Sequence, residues 1–168
     1  MKLEELIAKI ENVSKSEVKR YAPKNCRDIN NMIKESLPRS PYEKMVLGYL
    51  TSLCAEYMYP GTFYLKANDL DYIGFELEKG SIEVEIAGDK MGSCMRSGKI
   101  TARKAGDETG SSMVGGEIIV DEIKSIGNTI GGKICTKKVQ RISKNQGALI
   151  FIKGVKFKRS FLDRLLGR

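Results

Sequence analysis

The chain of 168 residues has no histidine and no tryptophan, and only four prolines. Its four cysteines, Cys26, Cys54, Cys94 and Cys135, lie far apart with no CxxC pair. Each shortage narrows the function classes. Without histidine the chain lacks the usual catalytic base and the commonest metal ligand, so catalysis would have to run on Asp, Glu, Lys, Tyr or Cys. Four thiols without a disulfide framework predict a reduced, cytoplasmic protein. They also lack the four-ligand spacing of a structural zinc site. No apolar run approaches the roughly 18 residues of a membrane span. The start, Met1 to Glu5, carries acids where a signal peptide has its apolar region, so no signal peptide is expected. A composition of 41 % hydrophobic and 30 % charged residues predicts a folded domain that needs no disulfide staples.

Acids are also scarce in one stretch. Residues 133–168 hold eleven Lys or Arg and a single acid, Asp163, a balance of +10. The other 132 residues hold eighteen basic and twenty acidic side chains, a balance of −2. A near-neutral body therefore carries a basic C-terminal segment, which speaks about one surface and not about the fold.

Helical signals fill residues 1–60. Leu3, Leu6, Ile7 and Ile10 share one face. Ser14 or Ser16 can cap a second helix that Pro23 would end, and residues 27–37 read as a third, closed by Pro38. Ser40-Pro41-Tyr42-Glu43 is a capping box with proline at the first helical position. It opens a run in which Met45, Val46, Tyr49, Leu50, Leu53 and Cys54 form an apolar stripe, stopped by Pro60-Gly61. Such a stripe serves either a partner or the protein's own core, and core packing is the simpler account.

Glycine is plentiful, at 17 residues, and it is periodic. Gly61, Gly80, Gly98, Gly116 and Gly132 each open a short β-like stretch, and the key apolar position runs Phe63, Ile82, Ile100, Ile118, Ile134, at spacings of 19, 18, 18 and 16. A second signature, glycine followed three residues on by a large apolar side chain, gives Gly74/Leu77, Gly92/Met95, Gly110/Met113 and Gly127/Ile130. Two ladders of nearly one period predict a mainly β fold. Each copy is too short to bury its own apolar face, so copies stack as parallel strands in a β-solenoid of about 18 residues per coil. The two ladders would lie inside, while Glu83, Thr101 and Ile119 would point out. An open coil edge invites aggregation, so the helical front is expected to cap one end and the C-terminal segment the other.

The segments Ala87-Gly-Asp-Lys-Met-Gly-Ser-Cys-Met-Arg-Ser-Gly and Ala105-Gly-Asp-Glu-Thr-Gly-Ser-Ser-Met-Val-Gly-Gly resemble the GXGXG repeat domain. That domain occurs in the archaeal formylmethanofuran dehydrogenase complex, as one of its subunits, and at the C-terminus of the glutamate synthase large chain. The resemblance covers roughly residues 61–136. It implies a right-handed parallel β-helix of architectural role, whose catalytic centres lie in other domains or subunits, and it transfers no catalytic residue.

Other chemistry is weaker. Asp71, Asp89 and Asp107 recur at equivalent corners and could in principle stack around a cation, but the Gly-Gly-x-Gly-x-Asp calcium pattern is absent and aspartate suits turns. Cys94 has Arg96 nearby but no base, and small-residue packing accounts for it; Cys135 falls on an outward strand position. Gly92 to Ile100 imitates a phosphate loop only superficially, because Ile100 stands where Ser or Thr is required and a strand follows.

The organisation read from the sequence is a helical cap (1–60), a β-helix (61–152) and a basic strand/helix tail (153–168) in which Ser160 could cap a last short helix. Lys153, Lys156, Lys158, Arg159, Arg164 and Arg168 would form an anion- or partner-binding surface, or simply a solvated face over an apolar stripe. The expected function is a non-catalytic scaffold or assembly component, without cofactor or metal, docking an enzyme partner or a second copy of itself. The alternative is a nucleic-acid-binding protein using the basic tail, although no aromatic RNA-binding motif is present. A stand-alone enzyme built on Asp, Lys or Tyr is the third reading.

Overall fold

A computed structural model describes residues 1–158 of the chain. From residue 62 onward it is a parallel β-solenoid of about five turns, roughly 18 residues apart. Strands β1 (Thr62–Leu65), β2 (Ser81–Ile86), β3 (Lys99–Ala105), β4 (Glu117–Ile126), β5 (Lys133–Ile142) and β6 (Leu149–Ile152) pair in parallel and in chain order. A two-residue strand, β7 (Val155–Lys156), then folds back antiparallel on β6, so the sheet continues past residue 152.

The first ladder is real and one rung longer than expected. Phe63, Ile82, Ile100, Ile118 and Ile134 stand in register, followed by Ile150, and all six are buried. Burying each such side chain contributes roughly 1.5–3 kcal/mol, and β-branched isoleucine suits a pleated surface. Glu83 is exposed and Thr101 and Ile119 half-exposed on the opposite face, as alternation requires.

The second ladder needs a correction at its last rung. Leu77, Met95 and Met113 are fully buried, but Ile130 is 48 % exposed. Ile130 N donates to Met113 O as Val114 N donates to Met95 O, which puts Ile130 in line with exposed Val114. The buried rung is Thr129. Gly127 lacks the left-handed backbone of Gly74, Gly92 and Gly110 (φ 72°, 69° and 69°), because the fourth corner is shorter and runs extended.

Four helices precede the solenoid: α1 (Leu3–Ile7), α2 (Lys15–Tyr21), α3 (Cys26–Glu35) and α4 (Pro41–Met58). Ser14 caps α2, Asn25 caps α3, and Ser40 with Glu43 forms the expected capping box on α4. Helix α4 carries more than an apolar stripe, since residues 46–55 are buried all round, including Thr51 and Ser52. It lies where a preceding coil would be. Gly92 N and Gly110 N each donate to a carbonyl of the coil before, Ile73 O and Met91 O. The first coil has no such neighbour, and Gly74 N donates instead to Thr51 Oγ1 at 2.9 Å. Ser52 Oγ donates to Phe75 O at 2.8 Å and Lys15 Nζ to Glu76 O at 2.7 Å. At Gly74 N and Phe75 O the lid therefore supplies, from side chains, the partners that a coil supplies from backbone. Gly48 lets it sit this close, because a Cβ there would lie 2.6 Å from Tyr72 O.

Candidate functional site

The corner aspartates join coils rather than forming an ion cage. Asp71 Oδ1 accepts from Asp89 N at 2.8 Å and Asp89 Oδ1 from Asp107 N at 2.7 Å. Asp107 Oδ1 accepts from Ser125 Oγ at 2.8 Å. Lys44 pairs with Asp71 at one end of this relay, and Lys124 with Asp107 at the other, 2.8 and 2.5 Å away. The Lys124 hydrogen bond, then that from Ser125, holds the Asp107 carboxyl below its ordinary range. Gly-Asp recurs for a steric reason: a Cβ at Gly88 or Gly106 would strike the aspartate carboxylate of the coil before. Among the described residues no group of three or more Cys, Asp or Glu is arranged to hold a metal ion.

The thiols are all free. Burial raises Cys54 far above the ordinary thiol range, and burial followed by the Glu76 charge raises Cys94, whose φ of 55° matches that of Ser112 at 56° one coil on. Neither is an activated nucleophile.

The outer face of the sheet changes character along the stack. Its central column runs Tyr64, Glu83, Thr101 and then Ile119, Cys135, Phe151, polar over the early coils and apolar over the late ones. One flanking column runs Lys99, Glu117, Lys133, with Glu117 3.7 Å from Lys99 and 2.9 Å from Lys133. The column on the other side runs Glu85, Arg103, Asp121, Lys137, Lys153; Glu85 pairs with Arg103, and Asp121 with Lys137 at 2.8 Å. Signs alternate until the last coil, where Lys153 follows Lys137. Such cross-strand pairs fix the register in which coils stack.

An open apolar depression of about 450 Å³ results, floored by Ile119, Cys135 and Phe151 and rimmed by Lys133, Lys137 and Lys153. Lys133 Nζ lies 5.7 Å from the centre of the Phe151 ring, a cation–π contact. The hydrogen bond to Glu117, then the neighbouring Cys135, raises the Lys133 pKa and keeps its charge. Lys153 and Gly154, at φ 51° and 78°, form the two-residue turn into β7, the left-handed pair that a tight hairpin requires. That turn puts Lys156 directly opposite Phe151.

Of the residues singled out in the sequence, Lys153 lines this depression, Lys156 stands in register with its Phe151, and exposed Lys158 follows two residues later. Arg159, Arg164, Arg168 and the helix that Ser160 could cap lie outside the described residues. Sequence reasoning missed Lys133, Lys137 and Phe151 as members of the site. The signal was present in the outward column, whose last three members are apolar, but it needed the sixth rung to be recognised. Among the described residues no helix is long and apolar enough to cross a membrane. Comparison with family models, curated proteins and solved structures finds no match to the chain.

Proposed function

We propose that the protein is a non-catalytic β-solenoid scaffold, of the kind the GXGXG-like repeats suggest, that docks an acidic, apolar-faced protein on its lysine-rimmed outer face. The observation that carries the reading is the switch of the outer column from Tyr64, Glu83 and Thr101 to Ile119, Cys135 and Phe151, beside which the alternation of charge ends at the last coil, where Lys153 follows Lys137. Apolar anchors inside a charged rim are the anatomy of a protein-binding patch. A redox or metabolic enzyme is the partner that the resemblance favours. The free thiols suit a reducing, cytoplasmic setting.

The same surface suits nucleic acid less well. Lys133 and Lys137 are each neutralised by a carboxylate, Glu117 and Asp121, so the face is no continuous phosphate-binding stripe. The test is capture of the native complex by the tagged full chain at low and moderate salt, beside a Phe151→Asp, Lys153→Glu variant. The reading predicts one stoichiometric acidic protein held by the wild type and lost by the variant. Capture of nucleic acid alone, lost steeply as salt rises, would replace the reading with the basic-tail alternative. A purified chain that turns over a metabolite unaided would end it.

A further inference from the structure

Among the described residues the last coil is closed along only part of its length. Strand β6 pairs with β5 over Lys133, Ile134, Cys135 and Thr136, and the chain then turns away at Lys153 and Gly154. Strand β5 continues to Ile142. Among the described residues no strand pairs with residues 138–142 on the side away from β4. The core ends there as well. In β4, Ile123 and Ile126 are buried, whereas their register partners Val139 and Ile142 are only half-buried.

The charges beside this edge follow the rule of the stack. Lys104, Glu122 and Lys138 stand in register and alternate in sign, and the series stops on Lys138. A further strand obeying the rule would place an acid opposite Lys138 and apolar side chains opposite Val139 and Ile142. Residues 143–158 contain no acid, and residues 159–168 carry three arginines against Asp163, the wrong balance for this position.

We propose that the open half of β5, residues 138–142, binds an extended segment of a partner protein, with acidic and apolar residues interspersed, as an added strand. Backbone hydrogen bonds would give affinity, and the Lys138 pairing with the two apolar contacts would set register and selectivity. This edge is a different surface from the Phe151 depression, and its test does not depend on what docks there.

A suitable probe is a synthetic peptide copying residues 119–126, the part of β4 that already pairs with β5 on its other side. It is titrated into the isotope-labelled full chain and followed by amide chemical shifts and hydrogen exchange. The proposal expects saturable shifts centred on residues 138–144 and exchange slowed by about tenfold or more at Val139 and Ile142. It expects binding about tenfold weaker for the peptide carrying Asp121→Lys and Glu122→Lys. Lys138→Glu in the chain should weaken the acidic peptide about fivefold without moving the melting temperature. Equal binding of both peptides, or shifts centred elsewhere, would overturn it. So would a free chain in which Val139 and Ile142 are already as protected as β4, since residues 159–168 or a second copy would then hold the edge. Retention of partner capture by the Phe151 variant with peptide binding intact would count against the docking face alone.

Discussion

At the first coil, helix α4 brings Thr51 and Ser52 against Gly74 N and Phe75 O, and Lys15 against Glu76 O. At the last coil, the hairpin of residues 149–156 covers β5 as far as Thr136 and leaves the rest without a neighbour among the described residues. One end meets backbone groups of the first coil with side chains of the helical region, and the other keeps exposed apolar groups and lysines. A repeat protein must terminate its stack at both ends. The asymmetry teaches that only one end is finished by the described chain, and the unfinished end is where the outer face becomes apolar and cationic. A lid serves stability, and the open face that keeps its apolar groups is the one we propose for binding.

The contrast can be broken first by truncation in the core. Leu50→Ala, in the fully buried part of α4, should cost about 2–5 kcal/mol in denaturant unfolding. Phe151→Ala, on the half-exposed outer face, should cost about 1 kcal/mol or less while abolishing partner capture. Equal costs would mean that the C-terminal face is ordinary core.

A finer test removes one hydroxyl. Thr51→Val keeps the shape of the lid but leaves Gly74 N buried without a partner, for an expected loss of about 1–3 kcal/mol. A neutral result would show that α4 covers the coil without replacing its hydrogen bonds. At the other end Lys153→Glu should change stability by no more than about 0.5 kcal/mol and weaken partner binding about fivefold or more, measured by calorimetry on the captured pair.

The smallest effect is in acid. Asp107 titrates below its ordinary value in the folded chain, so its contribution is full above the unfolded carboxyl range, near pH 4. It disappears as pH falls through the lowered value. Asp107→Asn should therefore be less stable than wild type at pH 7, and the gap should narrow as the pH drops toward 2. A gap independent of pH would show that the ionised carboxylate is not what joins these coils.

Much of this was legible because stacking forces identical positions onto one line. The Phe63-to-Ile134 column and the left-handed glycines at 74, 92 and 110 follow from the period alone. Ile130 misled because Gly127 mimics Gly110 in sequence while the corner between them is shorter, which moves the buried rung to Thr129. Thr51 and Ser52 were invisible as lid residues, since a hydroxyl inside an apolar stripe gives no sign of the backbone group it will meet. Lys153 and Lys156 could be read from charge, yet their meeting with Phe151 depended on the turn at Lys153 and Gly154, which no periodicity announces.

The most direct test of the account is hydrogen exchange on the captured complex compared with the free full chain. The account predicts added protection in peptides covering residues 117–123, 133–142 and 149–156, and none across α1 to α4. Protection confined to the helices, with the C-terminal end unchanged, would contradict it by making the lid the docking surface.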